Sequence, residues 1–212
     1  GGALDPAIAS SVLSGPTGYA AGLFIGSALL MTLATFLPQG LRTVFATVGG
    51  VTGLMGFAVN GHAAAGGIAP AGLVLVHASL AAWWIGALFL LATACRELQA
   101  GGLSDLLQRF TRQATLFVLS LFAVGGVLLV VLIEGEAQRL MSSYGLGLLL
   151  KLSAVGSVFA LVLWNRLRLT PRIAAGDPQA AGALLRNVRI ELALIAVVLT
   201  ATAGWTTLTS PH

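Results

Sequence analysis

The sequence predicts an all-α integral membrane protein: a six-span helical bundle, with its N-terminus and C-terminus outside, that forms a single transmembrane domain over residues 1–212. Two observations lead to this class. Only 8% of the residues are charged and 57% are hydrophobic, and the mean hydropathy is +0.95. Soluble domains carry about 25% charged residues, so this chain has too few charges to cover a water-facing surface. The composition therefore excludes a soluble enzyme, a disordered chain and a nucleic-acid-binding module.

Gaps between charged residues locate the helices, because the hydrocarbon core of a bilayer requires about 20 mainly apolar residues per helix. Residues 43–95 contain no Asp, Glu, Lys or Arg, which is enough for two helices and a turn. Gly and Pro residues between Asn60 and Pro70 mark the break between those helices. No segment shows the alternating pattern of a membrane barrel strand. The predicted spans cover about 19–36, 41–59, 69–95, 113–133, 144–167 and 184–208.

Loop charges predict how the bundle is oriented. Lys and Arg concentrate in loops on the cytoplasmic side of a membrane. With the N-terminus outside, the outer loops hold only Arg139, and Lys151 lies within the fifth span. The other nine of the eleven cations fall at the inner side: Arg42, Arg96, Arg109, Arg112, Arg166, Arg168, Arg172, Arg186 and Arg189. This asymmetry places both termini outside.

Two histidines are the first candidate functional residues, because polar side chains at depth in a membrane are costly. His77 lies in the third span, seven residues after Pro70 and therefore roughly 10 Å from its outer end. His62 lies in the short outer loop before that span, which can fold over the mouth above His77. Imidazole is a common metal ligand. The alternative for His77 is a neutral imidazole bonded to a neighbouring helix.

The residue types near these histidines favour copper among the metals that imidazole binds. Met55 lies near the outer end of the second span, and Asn60 follows that span. Imidazole suits copper, zinc, nickel and iron, whereas a thioether beside it favours copper, particularly Cu(I). These residue types alone do not exclude the other three metals; His62 and His77 are the candidate ligands, and Met55 or Asn60 is the candidate third contact. The alternative for Met55 is a packing role, which methionine often has in helices.

Three charged residues at depth form a predicted charge network. Lys151 lies seven residues into the fifth span, and Glu134, at the outer end of the fourth, is its nearest partner by depth. Glu191 lies about two turns into the sixth span from the inside, with Arg42, Arg166 and Arg189 at similar depth. Buried charges normally pair, so structural ion pairs are one interpretation of both groups. A counter-charge for transport is the other interpretation for Lys151 and Glu134.

Several short blocks of sequence between residues 61 and 210 match a known family. Each block alone is unspecific, but their order and spacing together are those of the family. The blocks are Gly61-His62-Ala63; His77 with Trp84 and Gly86; Arg109-Phe110; Tyr144-Gly145 with Leu148-Leu149-Leu150-Lys151; Asn165-Arg166 with Pro171; and Leu185-Arg186 through Glu191. On these blocks the chain resembles the copper resistance D (CopD) family of bacterial inner-membrane proteins. The family's histidines correspond by motif to His62 and His77.

The resemblance implies a multi-pass protein of the bacterial inner membrane that moves copper across it or holds copper there. It also implies a small periplasmic copper-binding protein (CopC-like) as partner, in addition to membrane lipid. No Gly-rich phosphate-binding loop of the Walker type occurs in the chain, so we expect transport without ATP.

Two other functions remain open from the sequence. A membrane haem b cytochrome would use His62 and His77 as axial ligands, although such histidines usually lie on facing helices. A non-transporting membrane anchor for a periplasmic copper carrier would depend on the outer loops at 60–69 and 134–143 instead. An enzyme is not expected, because no nucleophile–base pair is visible.

Overall fold

The computed structural model describes residues 10, 13–59, 67–98, 100–133 and 143–208, and every regular element within these ranges is helical. A π-helical turn, Asn165–Leu169, joins the fifth helix to the sixth. The α-helices are α1 (Pro16–Thr35), α2 (Gln39–Ala58), α3 (Ile68–Glu97), α4 (Ala100–Ile133), α5 (Ser143–Trp164), α6 (Thr170–Ala174) and α7 (Ala180–Leu208).

The predicted all-helical class is confirmed over the described residues. Five helical stretches there are long and apolar enough to cross a membrane: α1, α2, α3, Gly101–Val131 of α4, and Leu152–Ala174. They overlap the first five predicted spans. The sixth predicted span lies within α7, and its crossing of the membrane, like the location of the termini, stays a prediction.

Helix α4 begins at Ala100, well before the predicted start of the fourth span at residue 113. The additional turns carry Asp105, Arg109 and Arg112, all of them exposed. Charged residues limit where a helix can enter lipid, but they do not interrupt its backbone hydrogen bonds. The membrane boundary and the helix boundary therefore differ at this end of α4.

The described residues fold into two compact units, and the first comprises those that lie within 1–81 and 121–132. Its helices α1 and α2 pack closely because glycines of α2 face side chains of α1. A Cβ atom at Gly56 would lie 2.8 Å from Cε1 of Phe24, and one at Gly49 would lie 3.3 Å from the backbone oxygen of Ser27. Phe24 also packs edge-on against Phe57, with ring centroids 5.1 Å apart. Small residues permit such close helix approach in membranes.

The second compact unit comprises residues 82–120 and 133–212 and contains a larger buried cluster. Helix α3 contributes residues at helical spacing that share one face, and so do α4 and α7. The buried members include Trp84, Leu88 and Leu91 of α3, Leu103, Leu107, Ala114 and Val118 of α4, and Leu184 and Val188 of α7. Rings add to this packing, since Trp83 stacks on Phe117 with centroids 3.8 Å apart. The prediction of a single domain over residues 1–212 stays a prediction.

A short turn before α7 is fixed by one carboxylate. Asp177 accepts a hydrogen bond from the backbone N–H of Gln179 at 2.9 Å and forms a salt bridge with Arg172 at 2.7 Å. Both interactions favour the ionised carboxylate, so they lower the pKa of Asp177 from its ordinary value. Gly176 precedes it with φ +78°, a conformation that residues with a Cβ rarely adopt.

Candidate functional site

The predicted copper ligands are only partly within the described residues. Asn60 and His62 lie outside them, as does Glu134 of the predicted charge network. Met55 lies in α2 with 41% of its surface exposed, and His77 lies half-buried in α3. Within the described part of the chain, no three His, Cys, Asp or Glu side chains are grouped to hold a metal ion. The ligand set therefore stays a prediction.

His77 lies against α4 at a position where the facing residue is a glycine. A Cβ atom at Gly125 would be 3.2 Å from Cε1 of the His77 ring and 3.5 Å from its Nδ1. At the next residue, Gly126, an added Cβ would meet nothing within 4 Å. Gly125 thus allows α4 to approach the imidazole face, whereas its neighbour has no such role.

The second compact unit contains a buried polar network that ends on Glu191. This residue is 1% exposed, the lowest exposure of any charged residue among those described, and it follows Leu184 and Val188 on the buried face of α7. The side-chain amide of Asn165 donates a hydrogen bond from Nδ2 to Oε1 of Glu191 at 2.6 Å. Asn187 in turn donates from its Nδ2 to Oδ1 of Asn165 at 2.7 Å. The three side chains form a continuous chain of hydrogen bonds that ends on the carboxyl group.

The π-helical turn holds the central residue of this network. Asn165 is its first residue and is 8% exposed. Its backbone carbonyl accepts hydrogen bonds from the backbone N–H of Thr170 and, at 3.2 Å, from the Thr170 hydroxyl. The wider turn shifts the helical register by one residue, and single π turns occur frequently at functional sites. The register shift and the buried amide therefore coincide.

A cavity of about 140 Å³ lies beside the network. Most of its wall is apolar and includes the rings of Trp84, Phe110 and Phe159. The polar part of the wall includes Asn165, Glu191 and Arg166. Arg166 donates from Nη1 to the hydroxyl of Thr115 at 2.7 Å and is itself exposed. The cavity thus links a buried carboxyl group with an exposed guanidinium group.

The structure gives Glu191 a different partner from the cations that the sequence suggests. Its hydrogen bond comes from a neutral amide, and among the described residues it forms no salt bridge. Arg166 hydrogen-bonds to Thr115 instead, and Arg189 is exposed. Lys151 lies in α5, but its side chain is outside what the structure describes.

Sequence reasoning named Glu191 but gave Asn165 no role beyond the resemblance, and it did not consider Asn187. A signal for both was present. Neutral amides are costly in an apolar helix unless they are hydrogen-bonded. Asn165 and Asn187 both lie near the inner ends of the predicted spans 144–167 and 184–208, so a polar contact between these spans was to be expected.

The apolar helices and the buried polar network define a multi-pass helical membrane protein. Residues 104–205 match the model of the CopD family, described as Copper resistance protein D. The resemblance found in the sequence is thereby confirmed, and copper resistance is the general role that the family implies. The matched residues include the whole polar network, whereas His62 and His77 precede them. Searches of curated proteins and of solved structures found no match.

Proposed function

We propose that this protein binds copper on the periplasmic side of a bacterial inner membrane and moves it across that membrane without ATP. The observation that carries the proposal is the match of residues 104–205 to the family of Copper resistance protein D. The copper ion is the cargo rather than a resident cofactor. The long apolar helices of the chain support a location within the membrane.

In this proposal His62 captures copper at the outer mouth and His77 is the first ligand within the membrane. Met55 or Asn60 provides a third contact. Ligand chemistry supports these assignments, because imidazole and thioether groups suit copper. Met55 is 41% exposed rather than packed into the core, and His77 lies half-buried against Gly125 of α4.

The proposed partners are a small periplasmic copper-binding protein (CopC-like), which delivers the ion, and membrane lipid. Large apolar side chains that face outward support the contact with lipid. Leu90 is 73% exposed and Val130 is 72% exposed, and an uncovered apolar surface of this kind is typical of a membrane-facing or partner-facing protein.

The metal content of purified protein tests the proposal. Detergent-purified chain is loaded with copper under reducing conditions, washed and analysed by elemental mass spectrometry, next to the double variant His62→Ala/His77→Ala. We expect about one copper per chain in the wild type and almost none in the variant, since two ligands are lost. The variant His212→Ala is the matched control, because it removes a histidine that the proposal does not use.

Three other results would contradict the proposal. Iron in place of copper would favour the haem b cytochrome. Copper that is retained equally by the double variant would remove both histidines from the site. Protein that retains no metal but binds a CopC-like protein through its outer loops would be a membrane anchor.

A further inference from the structure

The position of Glu191 is unusual for a carboxyl group. It occupies the buried face of α7, two turns after the fully buried Leu184 and one turn after Val188. An ionisable group in the interior of a membrane protein is costly and usually functional. A leucine at this position would continue the apolar face without that cost.

The partner of Glu191 is suited to a group that changes its charge. A structural carboxylate normally has a fixed cation beside it. The Asn165 amide is neutral, and it can donate its hydrogen bond to an ionised carboxylate or to the carbonyl oxygen of a protonated carboxyl group. Asn187 holds the opposite side of that amide at 2.7 Å, so the donor stays in place in both states.

A cavity lies beside this carboxyl group, and its wall contains one other charged residue. Helices α3 and α4 contribute no titratable side chain to its wall; the π-helical turn contributes Arg166 and α7 contributes Glu191. A volume of about 140 Å³ is sufficient for several water molecules, each of which occupies about 30 Å³ in the liquid. Arg166 is exposed and donates a hydrogen bond to Thr115, so the wall of the cavity includes both the buried carboxyl group and a residue at the protein surface.

We propose that Glu191 binds and releases a proton that is exchanged through this cavity, and that the exchange accompanies the movement of copper; this second part rests on the proposed function. On binding, a carboxylate oxygen of Glu191 takes a proton from a hydronium ion in the cavity and leaves water. On release, the same proton returns to water, and the carboxylate forms again. Asn165 is a positioning residue, since it acts only through Glu191.

Infrared spectroscopy tests the proton exchange without any need for copper. Spectra of the protein in lipid vesicles are recorded as a function of pH for the wild type and for Glu191→Gln, which keeps the shape of the side chain but cannot release a proton. We expect a carboxyl C=O band that rises and falls with pH in the wild type and is missing in the variant. Glu97→Gln is the matched control, because it removes an exposed carboxylate at the end of α3.

Transport in vesicles tests the coupling to copper. Vesicles that contain the protein and an internal pH-sensitive dye receive copper under reducing conditions, and copper uptake and internal pH are followed together. We expect the proton movement per copper to fall at least tenfold in Glu191→Gln and to be unchanged in Glu97→Gln. Glu191→Asp keeps a titratable carboxyl group and should retain part of the coupling, which separates loss of the proton from loss of the fold.

The possible failures are distinguishable. If no carboxyl band that is missing in Glu191→Gln changes with pH in the wild type, Glu191 keeps one protonation state and the inference is wrong, even if copper moves. If Glu191→Gln moves protons with copper as the wild type does, the coupling is wrong. If the band responds to pH but the wild type moves no copper, proton exchange at Glu191 stands and the proposed function fails.

Discussion

Two regions of this molecule are candidate functional sites, one because of its residue types and the other because of how its residues are arranged. The region around His77, in the first compact unit, contains residues of the right chemical type for copper, but among the described residues no metal-binding group is assembled there. The region around Glu191, in the second unit, contains neither histidine nor methionine in its network, yet its side chains are assembled into a continuous hydrogen-bonded chain. The family match includes all three residues of the network around Glu191, whereas His77 itself precedes the matched residues.

The difference teaches that residue type and residue arrangement are separate kinds of evidence. Histidine and methionine are conspicuous in an apolar sequence because few other side chains there bind metals. Asparagine is inconspicuous, although its amide can hold a buried carboxyl group. Transport requires both, since an ion needs ligands and its charge needs compensation. Substitutions in each region can therefore test the two sides of this comparison separately.

The largest effect is expected at Lys151. Replacement by Met keeps an unbranched chain of similar length but removes the charge, so we expect copper uptake into vesicles to be abolished while the yield of folded protein is unchanged. Lys151→Arg keeps the charge and should preserve uptake. If Lys151→Met takes up copper at the wild-type rate, Lys151 has no part in the mechanism.

A large loss of stability is expected for Asn165→Leu. The substitution removes the donor to Glu191 and the acceptor for Asn187, and an unsatisfied buried polar group costs about 1–3 kcal/mol, or more if it is charged. We expect the free energy of unfolding in detergent to fall by about 3 kcal/mol. Gln108→Leu, which removes an exposed amide of α4, is the control and should change it little.

The double variant Asn165→Leu/Glu191→Leu sharpens this result. Replacing both partners by apolar groups is often nearly neutral, so the double variant should be more stable than Asn165→Leu alone. Additive losses in the two single variants and the double variant would show that the 2.6 Å contact between Asn165 and Glu191 contributes nothing to stability.

A smaller effect is expected where α4 meets His77. In Gly125→Ala the new Cβ would lie 3.2 Å from Cε1 of the imidazole, so the ring must shift by a few tenths of an ångström. We expect weaker copper retention in elemental analysis and a loss of about 1 kcal/mol of stability, at the low end of overpacking. Gly126→Ala, which meets nothing within 4 Å, should behave as wild type. Equal retention by both variants would argue against His77 as a ligand.

The smallest effect is expected on the pH dependence of stability, through Asp177, which belongs to neither region. The pKa of Asp177 is lowered because the Gln179 backbone N–H and the Arg172 side chain favour the ionised form. The stability that this provides is present above the ordinary pKa of an aspartate and is lost as pH falls through the lowered value. In Asp177→Asn the melting temperature should therefore fall less between neutral and acid pH than it does in the wild type. An unchanged acid dependence would show that another carboxylate is responsible.

Much of the helical framework was predictable from the sequence. The predicted spans 19–36 and 41–59 differ by only a few residues from α1 (Pro16–Thr35) and α2 (Gln39–Ala58). Glu191 was also recognised as a residue that needs an explanation. The π-helical turn was not predicted, because a change of one residue in hydrogen-bond register alters neither composition nor hydropathy.

The sequence by itself determined that this is a helical membrane protein and where most of its helices lie. That is possible because the cost of placing a charge in lipid is a local property, which each residue contributes independently of its neighbours in space. Only the tertiary structure decided which group meets Glu191. Asn165 and Glu191 are separated by 26 residues along the chain. Their contact depends on the rotation of α7 about its axis and on the π-helical turn that contains Asn165.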